Sequence, residues 1–179
     1  MRASTVSSVS LLAALILALA AQSGDAAQKR EPLPAELSFR QLDGQSISMG
    51  ELRGKAVLFD FWATWCAPCR DALPHLRVIN TRFEDKPFAL LSISVDESRP
   101  VLEKFLADEK AEWPHIWDGN GQITRTFGVR SFPTYLIVDH TGRITSSLSG
   151  WGSRHEMRLA QLAGAEVSKA TRAAKKKAK

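Results

Sequence analysis

Two cysteines, Cys66 and Cys69, are the only cysteines in the chain, and they stand at C-x-x-C spacing. An apolar run at residues 56–61 precedes them and has the pattern of a buried strand, and a stretch with helical spacing follows. A cysteine pair on a turn between a strand and a helix suits reversible disulfide chemistry with an acidic thiol. The spacing therefore predicts a redox site.

The two sulfurs are expected to have different roles. If the helix begins at Cys66, its free N–H groups and positive dipole end favour the thiolate, so the Cys66 pKa should fall below the usual value of about 8.5. We therefore predict that Cys66 is the nucleophile and that Cys69, one helical turn later, resolves the mixed disulfide. Pro68 stiffens the turn, and Trp65 would shield the sulfurs and offer an apolar surface to a partner protein.

A cysteine pair has two other common uses besides redox chemistry. A zinc site needs a second pair of ligands, and the four histidines are scattered along the chain. A purely structural disulfide that closes so short a loop adds little stability. Redox use is the stronger interpretation, and we predict no metal site.

Asp60 and Pro133 are two further candidate site residues. Asp60 lies inside the apolar run, where a carboxylate is costly unless it is paired or protonated. Its pKa should be raised, which suits a proton acceptor for the Cys69 thiol; the alternative is an aspartate in contact with water or with Lys55. Pro133 opens an apolar strand, a place where a cis bond is tolerated, although spacing alone favours trans.

The order of elements predicts an α/β fold with a mixed sheet. Strand–helix alternation comes first, and a closing hairpin and a last helix come after it. The predicted strands are 37–42, 45–47, 55–61, 88–95, 113–117, 135–139 and 143–148, and the predicted helices are 66–83, 98–106, 123–127 and 153–162. Pro74 should kink the first helix, and Gly164 should end the last one.

The two ends of the chain differ from the middle in composition. Residues 1–20 have the pattern of an export signal, and a second candidate cleavage site lies as late as residue 26. The alternative is an uncleaved membrane anchor. Residues 21–35 read as a linker. Residues 165–179 form a basic tail that we expect to be disordered and solvated, although a lipid-surface or nucleic-acid role stays open. Without the tail and Arg2, the formal charge of +5 becomes slightly negative.

The segment at residues 61–70 resembles the active-site turn of thioredoxins, and most closely that of the exported TlpA/ResA-like group. Matching segments follow in the same order and spacing at residues 52–55, 94–96, 127–134 and 139–144. The resemblance spans roughly residues 36–163. It implies a thioredoxin-like domain over residues 36–164: a mixed central sheet flanked by helices, with an N-terminal β-hairpin and a short β-α insertion between residues 96 and 127.

The resemblance also implies roles for single residues. Cys66 is then nucleophilic, Cys69 resolving, and Asp60 matches the buried aspartate of thioredoxins. Pro133 is then cis and faces the disulfide. The residues expected to contact substrate are Trp65, Pro68 and Phe132. One departure stands out: many members of the exported group carry Asn at the Asp60 position and Glu at the Ala72 position, so proton handling here should be closer to that of thioredoxin.

The resemblance finally implies a function. We expect an exported, periplasmic thiol–disulfide oxidoreductase that reduces client proteins during cytochrome c maturation or copper-site assembly. A membrane-embedded thiol donor would supply electrons, and the redox-active disulfide would be the only cofactor. We expect a monomer that binds no nucleic acid. The alternatives are an oxidase or isomerase of the same fold, a copper-binding thiol module and a thiol peroxidase.

Overall fold

The computed structural model describes residues 31–178, and its architecture is organised around one strand that is buried on both faces. This strand, β3, spans Ala56–Trp62 and is buried along its whole length. Its side chains alternate between two core clusters, one on each face of the sheet. A continuous apolar run is what such a position requires, because neither face of the strand meets water.

Seven strands and four helices follow one another within the described residues. The strands are β1 Ser38–Arg40, β2 Ser46–Ser48, β3 Ala56–Trp62, β4 Phe88–Ser94, β5 His115–Trp117, β6 Thr134–Val138 and β7 Ile144–Ser149. The helices are α1 Ala67–Arg82, α2 Arg99–Glu109, α3 Gln122–Thr126 and α4 Ser153–Lys177.

The main sheet is mixed and has the order β5-β4-β3-β6-β7. Strand β3 pairs in parallel with β4 and antiparallel with β6. Strands β1 and β2 form the expected N-terminal hairpin, and β5 with α3 forms the β-α insertion. Helices α1, α2 and α4 contribute to the core on one face of the sheet, whereas the hairpin and α3 cover the other. The predicted α/β architecture is confirmed.

Helix α1 begins directly after Cys66, which occupies its N-cap position. Pro68 lies in the first turn, where a missing N–H costs nothing because no carbonyl is available to accept it. Pro74 lies inside the helix and removes one hydrogen bond there. The buried side of α1 carries Cys69 and Leu73, so the helix turns the second sulfur inward towards the sheet.

Helix α4 corrects the predicted C-terminal boundary. The last helix was expected to end at Gly164 and the basic tail at residues 165–179 to be disordered, but α4 continues to Lys177. Val167 and Ala170 extend the buried stripe of Leu159 and Ala163 at helical spacing. A glycine inside a helix costs about 1 kcal/mol, which burial of a valine side chain, at about 1.5–3 kcal/mol, outweighs. The terminal lysines also complement the helix dipole.

The predicted N-terminal boundary also changes. The sequence pattern predicts a linker that includes residues 31–35, yet the Leu33 N–H donates to the Gly142 carbonyl at 2.8 Å and the Gly50 N–H donates to the Ala35 carbonyl at 2.8 Å. The folded domain therefore starts by Leu33. The predicted export signal and the linker up to residue 30 lie outside the described residues. Among the helices of residues 31–178, none combines the length and apolar character needed to span a bilayer.

The buried C-terminal stripe predicts a stability effect. Deleting residues 165–179 should lower the thermal midpoint of the otherwise complete chain by about 4–8 °C, because Val167 and Ala170 no longer cover the core. Deleting only residues 175–179 removes exposed lysines and should change the midpoint by about 1 °C or less. Equal midpoints for both truncated proteins and the full chain, by circular dichroism, would contradict the packing of this segment.

Candidate active site

Cys66 and Cys69 form a disulfide at the junction of β3 and α1, with Cα atoms 5.2 Å apart. Both residues are largely covered: Cys66 is 6% exposed and Cys69 is 2% exposed. Cys66 lies at the surface end of the turn, between exposed Trp65 and exposed Ala67. Cys66 is therefore the more exposed residue of the pair, as expected for the attacking cysteine.

The start of α1 provides the electrostatics for Cys66. The first helical bonds, from the N–H groups of Cys69 and Arg70, both end on the Cys66 carbonyl at 3.1 Å. The N–H of Ala67 precedes these bonds, and no acidic side chain lies in the first turn to neutralise the positive helix end. A negative charge on Cys66 after reduction is therefore favoured at this position.

Trp65 and Phe132 bring a second loop to the disulfide turn. The Trp65 side chain is 64% exposed, and its ring meets the Phe132 ring edge-on with centroids 6.1 Å apart. The peptide bond from Phe132 to Pro133 is cis, which confirms the conformation that the resemblance implied. Pro133 itself is buried and directly precedes β6. The apolar edge beside Cys66 is thus built from two segments that are far apart in sequence.

Asp96 is a site residue to which sequence reasoning gave no role. It follows β4, is buried, and accepts hydrogen bonds from the Thr64 backbone N–H at 3.0 Å and the Thr64 hydroxyl at 2.6 Å. The Ser94 hydroxyl donates to the same carboxylate at 2.6 Å. These bonds hold the turn two residues before Cys66 against the end of β4. The sequence signals for this contact were the threonine in the turn and the family-like segment at residues 94–96.

Asp60 is buried on the sheet face that carries α1. It is 2% exposed, and strand alternation places it with Leu58 and Trp62, which share a core cluster with Cys69. The Ser92 hydroxyl donates to Asp60 Oδ2 at 2.8 Å. Burial raises the pKa of Asp60 to about 7, although the Ser92 hydrogen bond acts in the opposite direction. The alternative was an aspartate in contact with water or with Lys55; Asp60 is buried, and no salt bridge joins it to Lys55 among the described residues.

Asp60 belongs to a row of polar side chains that crosses the sheet. The strand registers pair Tyr135 with Asp60, Asp60 with Ser92, and Ser92 with His115. Burial lowers the pKa of His115 to about 4, and burial together with the Asp60 charge raises the pKa of the Tyr135 phenol. Of these four side chains, Asp60 is therefore the one that exchanges a proton near neutral pH.

The described residues hold no group of three or more His, Cys, Asp and Glu side chains with the geometry to bind a metal ion. His75, which lies on α1, instead pairs through Nδ1 with Glu156 Oε1 of α4 at 2.6 Å. The other histidine near the site, His115, packs its ring against those of Trp62 and Trp113. The site chemistry that these residues support is that of the sulfur pair and the buried carboxyl group.

Known proteins share this sequence and architecture. The chain matches the AhpC/TSA family over residues 30–147. A thiol–disulfide oxidoreductase ResA from Bacillus thuringiensis subsp. konkukian is 26% identical over 116 residues, which cover 65% of this chain and 67% of that protein. A Chlorobium tepidum structure assigned as the thiol:disulfide interchange protein DsbE has a TM-score of 0.72 at 27% identity, covering 78% of this chain and 98% of that one. StoA from Bacillus subtilis shares the fold, with a TM-score of 0.62 at 21% identity over 74% of this chain and 98% of its own.

The family match spans more than half of the chain, so the chain belongs to the AhpC/TSA family, and its fold is the thioredoxin fold. The matched relatives and the disulfide-bonded Cys66–Cys69 pair on this fold place it among the thiol–disulfide oxidoreductases.

The raised pKa of Asp60 predicts how stability varies with pH. The unfolded carboxyl has a pKa of about 3.9, so the folded state binds more protons between pH 4 and pH 7. The oxidised protein should therefore lose stability as pH rises through this window, by an amount on the order of 4 kcal/mol. In an Asp60→Asn variant this contribution should be absent. Urea unfolding of both proteins at pH 4.5 and pH 8 measures it.

The comparison of the two proteins isolates Asp60. Burial lowers the pKa of His115 to about 4, so its contribution to stability changes in the opposite direction, rising with pH from about 4 to 6.5. Since His115 is present in both proteins, its contribution cancels in their difference. If the free energies of unfolding of the two proteins changed with pH in parallel, the pKa of Asp60 would lie at its ordinary value.

Proposed function

We propose that this protein is an exported thiol–disulfide oxidoreductase that reduces disulfides in client proteins. The observation that carries the proposal is the Cys66–Cys69 pair at the N-terminus of α1, beside the exposed apolar edge of Trp65 and Phe132. A helix N-terminus favours a thiolate, and an exposed aromatic edge suits contact with another polypeptide.

The reaction begins with the reduced protein. The Cys66 thiolate attacks one sulfur of a client disulfide, which forms a mixed disulfide and releases the other client sulfur as a thiolate. The Cys69 thiol then gives its proton to the Asp60 carboxylate and attacks the Cys66 sulfur. This step forms the Cys66–Cys69 disulfide and releases the second client thiolate. Two electrons have passed from the protein to the client, with no cofactor besides the cysteine pair.

The client is expected to lie across the apolar edge of the site. Trp65 and Pro68 are exposed on the turn, and Phe132 reaches it from the opposite loop. Pro133, which follows Phe132, should face the sulfur pair and limit how closely the client chain approaches. A cleft on the other side of Trp65, lined by Ser98 and Val101 among others, extends this surface.

The proposed location of the protein is the periplasm, and the proposed direction of exchange is reduction of the client. The signal-like sequence at residues 1–20 supports a periplasmic location. In an oxidising compartment the reduced pair must be regenerated, and we assign this to a membrane-embedded thiol donor. The resemblance to the TlpA/ResA-like group and the similarity to ResA support reduction over oxidation or isomerisation. We assign the activity to cytochrome c maturation or copper-site assembly. In this proposal the protein acts as a monomer.

Two cysteine variants test the activity. The wild-type protein should catalyse insulin reduction by dithiothreitol, and Cys66→Ser should lower the rate to that of the uncatalysed reaction because no nucleophile remains. Cys69→Ser should accumulate a mixed disulfide with its client, visible as a reducible adduct by mass spectrometry. The double variant, Cys66→Ser with Cys69→Ser, is the matched control and should trap nothing.

Two results would contradict the proposal in different ways. Equal activity of the wild type and Cys66→Ser would remove the cysteine pair from the reaction. A reduction potential near that of strong oxidants, about −120 mV, would leave the exchange chemistry in place but reverse its direction.

A further inference from the structure

Two side chains outside the cysteine turn form a hydrogen-bonded chain that ends on Asp60. The indole Nε1–H of Trp113 donates to the Ser92 hydroxyl at 2.8 Å, and the Ser92 hydroxyl donates to Asp60 Oδ2 at 2.8 Å. Ser92 is fully buried and Trp113 is 6% exposed. Solvent therefore does not compete for these bonds.

The direction of both bonds follows from the chemistry of the donors. An indole N–H can only donate, so the Ser92 oxygen must accept from Trp113. A serine hydroxyl carries one hydrogen, which is then aimed at Asp60. A bond from a neutral hydroxyl to a carboxylate stabilises the charged form of the acid and is stronger than a bond between neutral groups. Trp113 thereby prevents Ser92 from rotating its hydrogen away from the carboxylate.

Trp113 lies within the insertion between residues 96 and 127, just before β5. It lies between α2 and β5, and its ring packs on that of His115 with centroids 5.3 Å apart. The His115 ring in turn meets the Trp62 ring at the end of β3. The aromatic packing fixes the indole in place, so the insertion reaches the carboxyl group of the central strand.

We propose that Ser92 and Trp113 are positioning residues for the resolving step: they hold Asp60 Oδ2 by a directed hydrogen bond and leave Oδ1 to take the proton of Cys69. This assignment rests on the proposed function, because it concerns the same proton transfer. The insertion is then a part of the redox site, since it sets the pH at which Asp60 accepts the proton.

Other titratable groups on this face of the sheet do not supply the same effect. Burial keeps His115 neutral by lowering its pKa to about 4, and burial raises the pKa of Tyr135, so neither changes charge with Asp60 near neutral pH. On the helices that pack on this face, His75 pairs with Glu156 and Lys169 pairs with Glu166. The Cys69 thiol is the proton donor of the step.

The test measures the pH dependence of the resolving step. Reduced protein is mixed rapidly with excess oxidised glutathione, and closure of the Cys66–Cys69 disulfide is followed by tryptophan fluorescence from pH 5 to pH 9. The Ser92→Ala variant loses the bond that stabilises the carboxylate, so its rate midpoint should move to higher pH by about one unit. Trp113→Phe keeps a ring but not the donor, and should shift the midpoint in the same direction by less. Ser92→Thr keeps the hydroxyl and should restore the wild-type midpoint.

Thr141→Ala is the matched control. Thr141 lies in the turn between β6 and β7, and its hydroxyl donates to a different carboxylate, Asp139, at 2.6 Å. Its removal should cost stability without moving the midpoint. In an Asp60→Asn background, Ser92→Ala should produce no further shift, because the group on which it acts is gone.

The outcomes separate this inference from the proposed function. An unchanged midpoint in both Ser92→Ala and Trp113→Phe, in proteins that still close their disulfide, would overturn the positioning role and leave the oxidoreductase intact. If Ser92→Ala does not fold, the Trp113→Phe result decides alone. A Cys69→Ser variant that traps no mixed disulfide through Cys66 would instead overturn the proposed function.

Discussion

A buried carboxyl group in the middle of an apolar strand is the constraint on which the site depends. Asp60 interrupts an apolar strand that is covered on both faces, and burial raises its pKa to about 7. An apolar residue would pack there without this cost. One hydrogen bond from Ser92 reduces this cost. Burial also gives the Asp60 carboxyl a pKa at which its protonation state changes near neutral pH. The surrounding sheet keeps water away and so maintains that property.

The fold gives the two cysteines different surroundings because Cys66 lies at the N-cap of α1 and Cys69 lies within its first turn. Cys66 is at the N-cap of α1, where the free N–H groups favour negative charge. Cys69 lies on the buried side of α1, and both cysteines share a core cluster with residues of β3 on the Asp60 face. The N-terminus of α1 therefore stabilises the charge on Cys66, whereas β3 carries the carboxyl group that accepts the proton of Cys69. Asp96 holds the turn between these two elements against the end of β4.

Local patterns predicted the parts of the site that are close in sequence. The cysteine spacing, the aspartate inside an apolar run and the strand–helix order were visible without a structure, and the family resemblance added the cis bond before Pro133. The Ser92 and Trp113 contacts were not visible, because they depend on which strands pair and in what register. The C-terminal helix was mispredicted because lysine-rich composition concealed the apolar stripe through Val167 and Ala170. Charge patterns alone do not show whether a neighbouring core is available.

The central claim is that Asp60 exchanges its proton near neutral pH while the cysteine pair lies on the same face of the sheet. The most direct test is a titration of the Asp60 carboxyl carbon by ¹³C NMR in the oxidised protein, with Asp60→Asn used to assign the resonance. The account predicts a midpoint at about 7. A midpoint at the ordinary value of about 3.9 would contradict it. Asp60 would then be charged throughout the neutral pH range, and burial would not have adjusted its pKa for accepting a proton there.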